Sequence, residues 1–409
     1  MIDLSDPYDV AIAGGGPAGS SAAIHLATSG ARVFLVEQKK FPRAKLCGEF
    51  ISPECLQHFK ILGVDDAMIA AGGVSLTQTT FYSRKGRSIS VPSQWFGGSG
   101  RALGLSRSEM DQKLLERARS VGVTVLENSH ASDLLSDRDS IRGIRLKSET
   151  ETNDIYARLT IDGTGRTRAL ARKLYNGRKA RESQRRPRLI AFKAHFKDTR
   201  GVGEACEIYS YRGGYGGLSS IENGLSNFCF IASARDVRRC GSDPETVIRN
   251  IVFKNPRAAY TLSQAQRCSE WLSVSLESFG RHELVPAEGL ITIGDAAAFI
   301  DPFTGSGMLM ALESGAVAAQ TIINHLAELR RSASFAALAR EYGIKYRTRF
   351  DSRLRISAFL RRAAFVPQLA EAAILFFSVS TRLRRNVARA TRPSSEHVAR
   401  DPLAVKRLQ

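Results

Sequence analysis

Residues 9–13, DVAIA, form a short β-type run, broken by GGGPAG and followed by SSAAIHLATSG, where Ala, Ile and Leu recur at helical spacing until Gly30. ARVFLVEQ then supplies a second run rich in β-branched and aromatic residues. The pattern predicts strand, glycine turn, helix, strand. In residues 103–125, Met110, Leu114, Leu115 and Ala118 share one helical face. Residues 289–319 repeat the opening order: LITIG predicts a buried strand and Met308 onward a helix. Between Lys193 and Ser278 the texture changes to alternating runs, LIAFKAHF, EACEIYSY, YGGLSSIENG and LSNFCFIASA, separated by turn residues, which predicts an antiparallel sheet.

The first glycine turn has dinucleotide-binding spacing, with Glu37 about 20 residues beyond it at the end of the second strand. Gly14 permits the tight turn, Gly16 lets backbone approach a pyrophosphate, and Gly19 lets helix pack closely on strand. Pro17 and Ala18 open the helix whose N-terminus favours an anion, and Glu37, with Gln38 beside it, is placed to accept from an adenosine ribose. This fingerprint does not separate FAD from NAD. The later stretch does, because Asp295, after Gly294, stands at the C-terminal end of a strand, where an acid can hold the ribityl hydroxyls of a flavin. Pro302, Gly305, Gly307 and Met308 then lead into a helix whose N–H groups can stabilise the negative charge of a reduced flavin.

A chain of 409 residues suggests two or three structural units. Its six cysteines contain no CxxC pair, and no metal-ligand cluster stands out, so reduced thiols are the expectation. The net charge of +19 lacks any recognisable nucleic-acid motif around it. From Glu328 onward there are about 18 basic and about 6 acidic residues, so the excess is concentrated in the tail. Within it, residues 363–385 are too short and interrupted to span a bilayer, which leaves a helical hairpin packed on the body or a helix lying on anionic headgroups. With no basic segment followed by an apolar one at the N-terminus, a cytoplasmic protein is expected, with peripheral contact at the inner face of the membrane as the alternative.

GGGPAG, Glu37, FPRAKLCGE, DGTGRTR and GDAAAFIDPFTGSGMLMALESG, in this order, resemble the FAD-dependent geranylgeranyl reductase family. That family lies within the p-hydroxybenzoate-hydroxylase-like flavoprotein superfamily, which also contains flavin-dependent halogenases. The resemblance spans roughly Asp9 to Leu326. It implies an α/β fold: a Rossmann-like FAD-binding domain of the glutathione-reductase type (residues 1–75, 101–175 and 285–330), an inserted antiparallel β substrate domain (76–100 and 176–284) and a C-terminal helical region (331–409). It also implies cofactor contacts at Arg107, Asp162 and Gly163, NAD(P)H as electron donor, and a loop at Cys47 on the flavin's ring side. Cys47 is thus a pocket-lining candidate for catalysis, with an inert buried thiol as the other reading.

In the substrate sheet, Phe192, Tyr209, Tyr215 and Phe228, with Phe230, are candidate walls for a hydrophobic small molecule, their other reading being core. The chain departs from the family in two places. Arg166 or Thr167 replaces the serine usual after the DG motif, and Tyr215 is followed by Gly216, Gly217, Leu218 and Ser219 instead of a Tyr-x-Trp-x-Phe-Pro segment. The resulting expectation is an FAD-dependent oxidoreductase acting on an isoprenoid, polyketide or aromatic metabolite. Reductase stands first, monooxygenase second and halogenase third, with a prenyl-binding escort protein as the non-enzyme alternative.

Overall fold

The structure, a computed structural model, describes residues 7–96, 100–148, 151–175, 189–276, 279–331, 335–364 and 380–390, together with Glu371 and Phe376. Two sheets organise it. In the first, Thr124–Leu126, Val33–Val36, Tyr8–Ala13 and Thr152–Asp162 run parallel in that order, and Leu290–Thr292 pairs with the C-terminal end of Thr152–Asp162. The hairpin of His130–Asp137 and Ser140–Lys147 extends the other half of that long strand.

Strands buried on both faces are near-continuous apolar runs, as Val33–Val36 and the Val10–Ala13 part of Tyr8–Ala13 show, while buried Asp9 is compensated by Arg330 at 2.7 and 2.9 Å. On one face lie the helices Pro17–Thr28, Arg107–Ser120 and Gly307–Asn324, where Val10, Ile12, Leu35, Leu114 and Leu312 form a shared core. The first and third of these helices touch through their backbones: a Cβ on Gly315 would stand 2.3 Å from the Ala18 carbonyl oxygen. Ser21 Oγ donates to the Leu312 carbonyl at 2.9 Å across the same crossing.

The second sheet is antiparallel except where Ala205–Tyr211 runs parallel to Gln78–Tyr82. Leu189–Lys197, Ser226–Ser233, Gly214–Ser220 and Ala205–Tyr211 form its centre. Its alternation decides what each side chain meets, because successive residues point to opposite faces. Phe192, Phe196, Tyr209, Phe228 and Phe230 enter a core with Val237, Val247 and Ala258 of the helices that cover the back of the sheet. Ala191, Tyr215 and Ile231 occupy the front, where they meet Phe299 of the first body.

From Phe335 to Ala364 one long helix follows. Leu338, Tyr342, Tyr346 and Phe350 recur every fourth residue and are buried on the first body, and Tyr342 Oη donates to the Thr292 carbonyl at 2.5 Å. Helix Thr381–Ala390 lies against strand Ser88–Pro92, where Arg384 Nη1 donates to the Ser90 carbonyl at 3.3 Å and Ala388 is buried. Most of the apolar stretch expected at residues 363–385 lies outside the described residues. No helix among the described residues is long and apolar enough to cross a membrane.

Candidate active site

Strand Tyr8–Ala13 ends in a loop that only glycine permits. Gly14 has φ +106°, and a Cβ there would lie 2.4 Å from the Gly163 carbonyl oxygen, while one on Gly19 would lie 1.9 Å from that of Gly14. The DG segment predicted from sequence is therefore packed directly on the glycine turn. Gly16 differs: a Cβ there would meet only guanidinium nitrogens of Arg107 and Arg43, each at 3.9 Å. That open backbone position, at the N-cap of helix Pro17–Thr28, faces two cations.

Glu37 closes the loop. Its Oε2 accepts from the Gly15 N–H at 2.9 Å and its Oε1 from the Lys39 N–H at 3.1 Å, with Arg43 Nε 3.5 Å away. Gln38 is exposed beside it. Arg107 begins the helix Arg107–Ser120 and grips the fully buried Asp111 through Nε at 2.8 Å and Nη2 at 2.7 Å. Burial alone would lower the Arg107 guanidinium, but the Asp111 carboxylate outweighs it and raises it. Arg43 Nη1 joins the same carboxylate at 3.1 Å. Lys45 keeps accessible surface, yet burial and the Arg107 and Arg43 guanidiniums lower its ammonium, as befits a side chain on the wall of a cleft. Sequence reasoning passed over Arg43 and Lys45, which sit in the segment quoted for Cys47.

The far end follows strand Leu290–Thr292. Gly294 takes φ +57° beneath Ala18, and Asp295 comes next. Burial raises the Asp295 carboxyl, against the pull of Arg166, Lys45 and Arg107, and no hydrogen-bond donor meets it among the described residues. Gly305 takes φ +60° against Phe50, and Gly307 opens the helix with only Ile300 near its missing Cβ, at 3.9 Å. Pro302 is exposed, whereas Met308 turns its side chain into the core, leaving only its backbone toward the helix N-terminus.

Asp162 faces inward as well. It accepts from Thr164 N–H, Thr164 Oγ1 and Ala171 N–H at 3.0, 2.6 and 2.8 Å, so it shapes the turn after its strand. Arg166 donates to the Ser275 carbonyl at 3.0 Å and stacks over Phe299.

Between the bodies lies the segment around Cys47. Its thiol is half-buried and receives a hydrogen bond from the Glu49 N–H at 3.4 Å, while its carbonyl accepts from Asn227 Nδ2 at 3.1 Å. Glu49, fully buried at φ +52°, is the centre of a cluster that sequence reasoning missed. Lys193 Nζ and the Arg107 N–H reach its Oε1 at 2.7 and 2.8 Å, and His195 Nε2 lies 2.7 Å from its Oε2. Lys193 and His195 alternate with Phe192 and Ala194, so they occupy the front of the sheet. A lysine and a histidine two apart among the apolar residues of strand Leu189–Lys197 were the available signal.

The same alternation corrects the expected substrate wall. Phe192, Tyr209 and Phe228 belong to the core behind the sheet, and of the four candidates only Tyr215 stands at the front. Its hydroxyl donates to Asp301 Oδ1 at 2.8 Å, and its ring packs edge-on against Phe303 at 5.2 Å between centroids. Phe81 lies 5.9 Å from the same Phe303 ring, so an aromatic patch adjoins the Asp295 segment.

Residues 7–341 match the FAD binding domain family. The chain belongs to this family. As an FAD-binding protein it is 26% identical over 325 residues to the digeranylgeranylglycerophospholipid reductase of Methanosarcina acetivorans, an alignment that covers 78% of this chain and 75% of that one. A 1H-pyrrole-2-carbonyl carrier-protein brominase of Pseudoalteromonas luteoviolacea is 25% identical, with 77% of each chain covered. Among solved structures, a geranylgeranyl bacteriochlorophyll reductase-like protein of Thermoplasma acidophilum superposes with a TM-score of 0.74 at 21% identity, covering 98% of both chains. The protein is thus an FAD-dependent oxidoreductase. Its residues fit the cofactor: the bare backbone at Gly16 between two guanidiniums suits a pyrophosphate, and Asp295, which no donor meets among the described residues, suits a polyol.

Proposed function

We propose that this oxidoreductase reduces an unsaturated hydrophobic small molecule of isoprenoid, polyketide or aromatic class, taking electrons from NAD(P)H. The observation that carries the reading is the front of the substrate sheet, where Tyr215, Phe81, Phe299 and Phe303 make an apolar, largely buried cluster beside the Cys47 segment. Its lipid-reductase relative supports that substrate class.

In this reading Gly14, Gly16, Pro17, Ala18, Gly19, Glu37 and Gln38 hold the adenosine half of FAD. Arg107, Arg43 and Gly163 neutralise or flank the pyrophosphate, and Asp295, Gly294, Gly305 and Gly307 receive the ribityl chain and ring. Bound FAD supplies hydride chemistry. Lys193, Glu49 and His195 fix the Cys47 segment against the substrate sheet, so the thiol and the apolar front keep one geometry. Exposed Arg382, Arg385 and Arg389, on one face of helix Thr381–Ala390, would give peripheral contact with the membrane from which a lipophilic substrate comes.

Oxygen-dependent chemistry, monooxygenation or halogenation, is the second reading, favoured by the brominase relative. Anaerobic turnover separates the two. FAD-loaded protein, chemically reduced under argon, is expected to saturate a polyprenyl alkene or reduce a quinone stoichiometrically. Product formed only after oxygen is admitted, carrying an oxygen atom from labelled O2 or a halogen, would overturn the reductase reading.

A further inference from the structure

Away from the cofactor, a cleft of about 440 Å³ opens between residues 281–285 and the long helix Phe335–Ala364. Arg281, His282, Arg340 and Arg347 line it, and Glu283 is the only acid on its wall. Glu283 is already engaged, its Oε2 accepting from Tyr175 Oη at 2.5 Å. Arg281 is held by Asp351 at 3.1 Å, and Glu341, the other acid nearby on the helix, is taken by Lys345 and His325. Arg340 and Arg347, both exposed, are left without a carboxylate among the described residues. They are seven residues apart, two helical turns, and so project from one face.

Gly343 stands between them on that face. Glycine in a helix interior weakens the helix, and close packing usually explains it. Here a Cβ would meet nothing within 4 Å, unlike Gly315 in the neighbouring helix, whose Cβ would collide with backbone. The residue therefore serves no packing contact, and its effect is to leave the cleft open between two uncompensated guanidiniums. The opposite wall is rigid: His282 N–H donates to the Ala297 carbonyl at 2.8 Å and the Leu284 carbonyl accepts from Thr292 N–H at 2.9 Å.

We propose that this cleft is a second ligand site, separate from the FAD site, that binds the phosphate group of a phosphate ester between Arg340 and Arg347. Guanidinium forks match phosphate oxygens, and the volume falls in the range of small-molecule sites. The ester is carried either by a lipid headgroup or by a soluble nucleotide.

Calorimetric titration of FAD-saturated protein with inorganic pyrophosphate tests the site, because FAD fills the phosphate-binding position beside Gly16 and the cleft variants separate this site from that of the electron donor. Saturable one-to-one binding is expected, weakened at least about tenfold in Arg340→Gln/Arg347→Gln and unchanged in Arg382→Gln/Arg385→Gln. Gly343→Leu fills the cleft without removing charge and improves helix propensity. It is expected to raise the melting temperature while abolishing binding, an outcome that misfolding cannot imitate. Displacement of pyrophosphate by phosphatidylglycerol vesicles, and not by phosphatidylcholine vesicles, assigns the lipid source; displacement by NADP+ assigns the nucleotide. Absence of saturable binding in the parent protein, or equal binding in the Arg340/Arg347 and Gly343 variants, overturns the proposal.

Discussion

Gly15 and Glu37, joined by a 2.9 Å hydrogen bond, are 22 positions apart in the chain, whereas Glu49 and Lys193, joined at 2.7 Å, are 144 apart. The first pair belongs to a loop whose backbone must pass a phosphate, so its residues are fixed by local conformation and by a ligand. The second belongs to a seam where two sheets meet, and its residues are fixed by one another. Damage to the first should therefore appear in cofactor retention, and damage to the second in stability.

Glu49→Gln tests the seam with the largest expected effect. It leaves the Lys193 ammonium, 2% exposed, without a buried countercharge, which should cost about 3–5 kcal/mol in urea unfolding. A double variant, Glu49→Leu with Lys193→Met, removes both charges and should recover most of that loss. Acid titration adds a second view. Burial alone would raise the Glu49 carboxyl, but the His195 hydrogen bond and the Lys193 charge outweigh it and hold the group below the ordinary 4.5. With the folded value depressed, its stabilisation is present above pH 4.5 and is lost as pH falls further. The unfolding free energy of the parent should fall more steeply below that pH than that of Glu49→Gln; parallel curves would remove Glu49 from the seam.

This contrast also explains what the sequence could disclose. Gly14, Gly19 and Glu37 were legible because strand, turn, helix and acid follow one another at fixed spacing, and Asp295 because it ends a buried apolar strand. Arg43 and Lys45 were not, since a basic residue in a loop reads as solvated until the fold places it beside Asp111 or Asp295. Glu49 was hidden because its partners Lys193 and His195 lie far along the chain. The substrate sheet was legible as alternating runs, yet which phase faces the cofactor depends on what covers each side. Helices Ala234–Arg239, Pro244–Asn250 and Pro256–Leu262 claim the aromatic phase for the back.

At the cofactor end the expected effects are smaller and specific. Asp295→Ala should weaken FAD retention about tenfold, roughly 1.4 kcal/mol, measured by flavin fluorescence titration, with little change in unfolding because no donor among the described residues is lost. Asp162→Ala should do the reverse in emphasis, since its three donors at 2.6 to 3.0 Å lie within its own turn and would be stranded. Equal loss of FAD in both variants, with equal stability, would mean that the two aspartates do not divide into ligand-facing and turn-shaping roles.

The smallest effect decides the phase of the substrate sheet. Phe192 packs at 5.0 Å between centroids on Phe230 in the core behind the sheet, so Phe192→Leu should lower stability by about 1 kcal/mol and leave KM unchanged. Tyr215 stands on the front between Phe303 and Asp301, so Tyr215→Phe should shift KM by a few-fold, about 1 kcal/mol, through loss of the 2.8 Å hydrogen bond that fixes its ring. The comparison is internal to one sheet and one assay. A KM shift in Phe192→Leu without one in Tyr215→Phe would place the substrate behind the sheet, under the three covering helices, and would detach it from the Cys47 seam altogether.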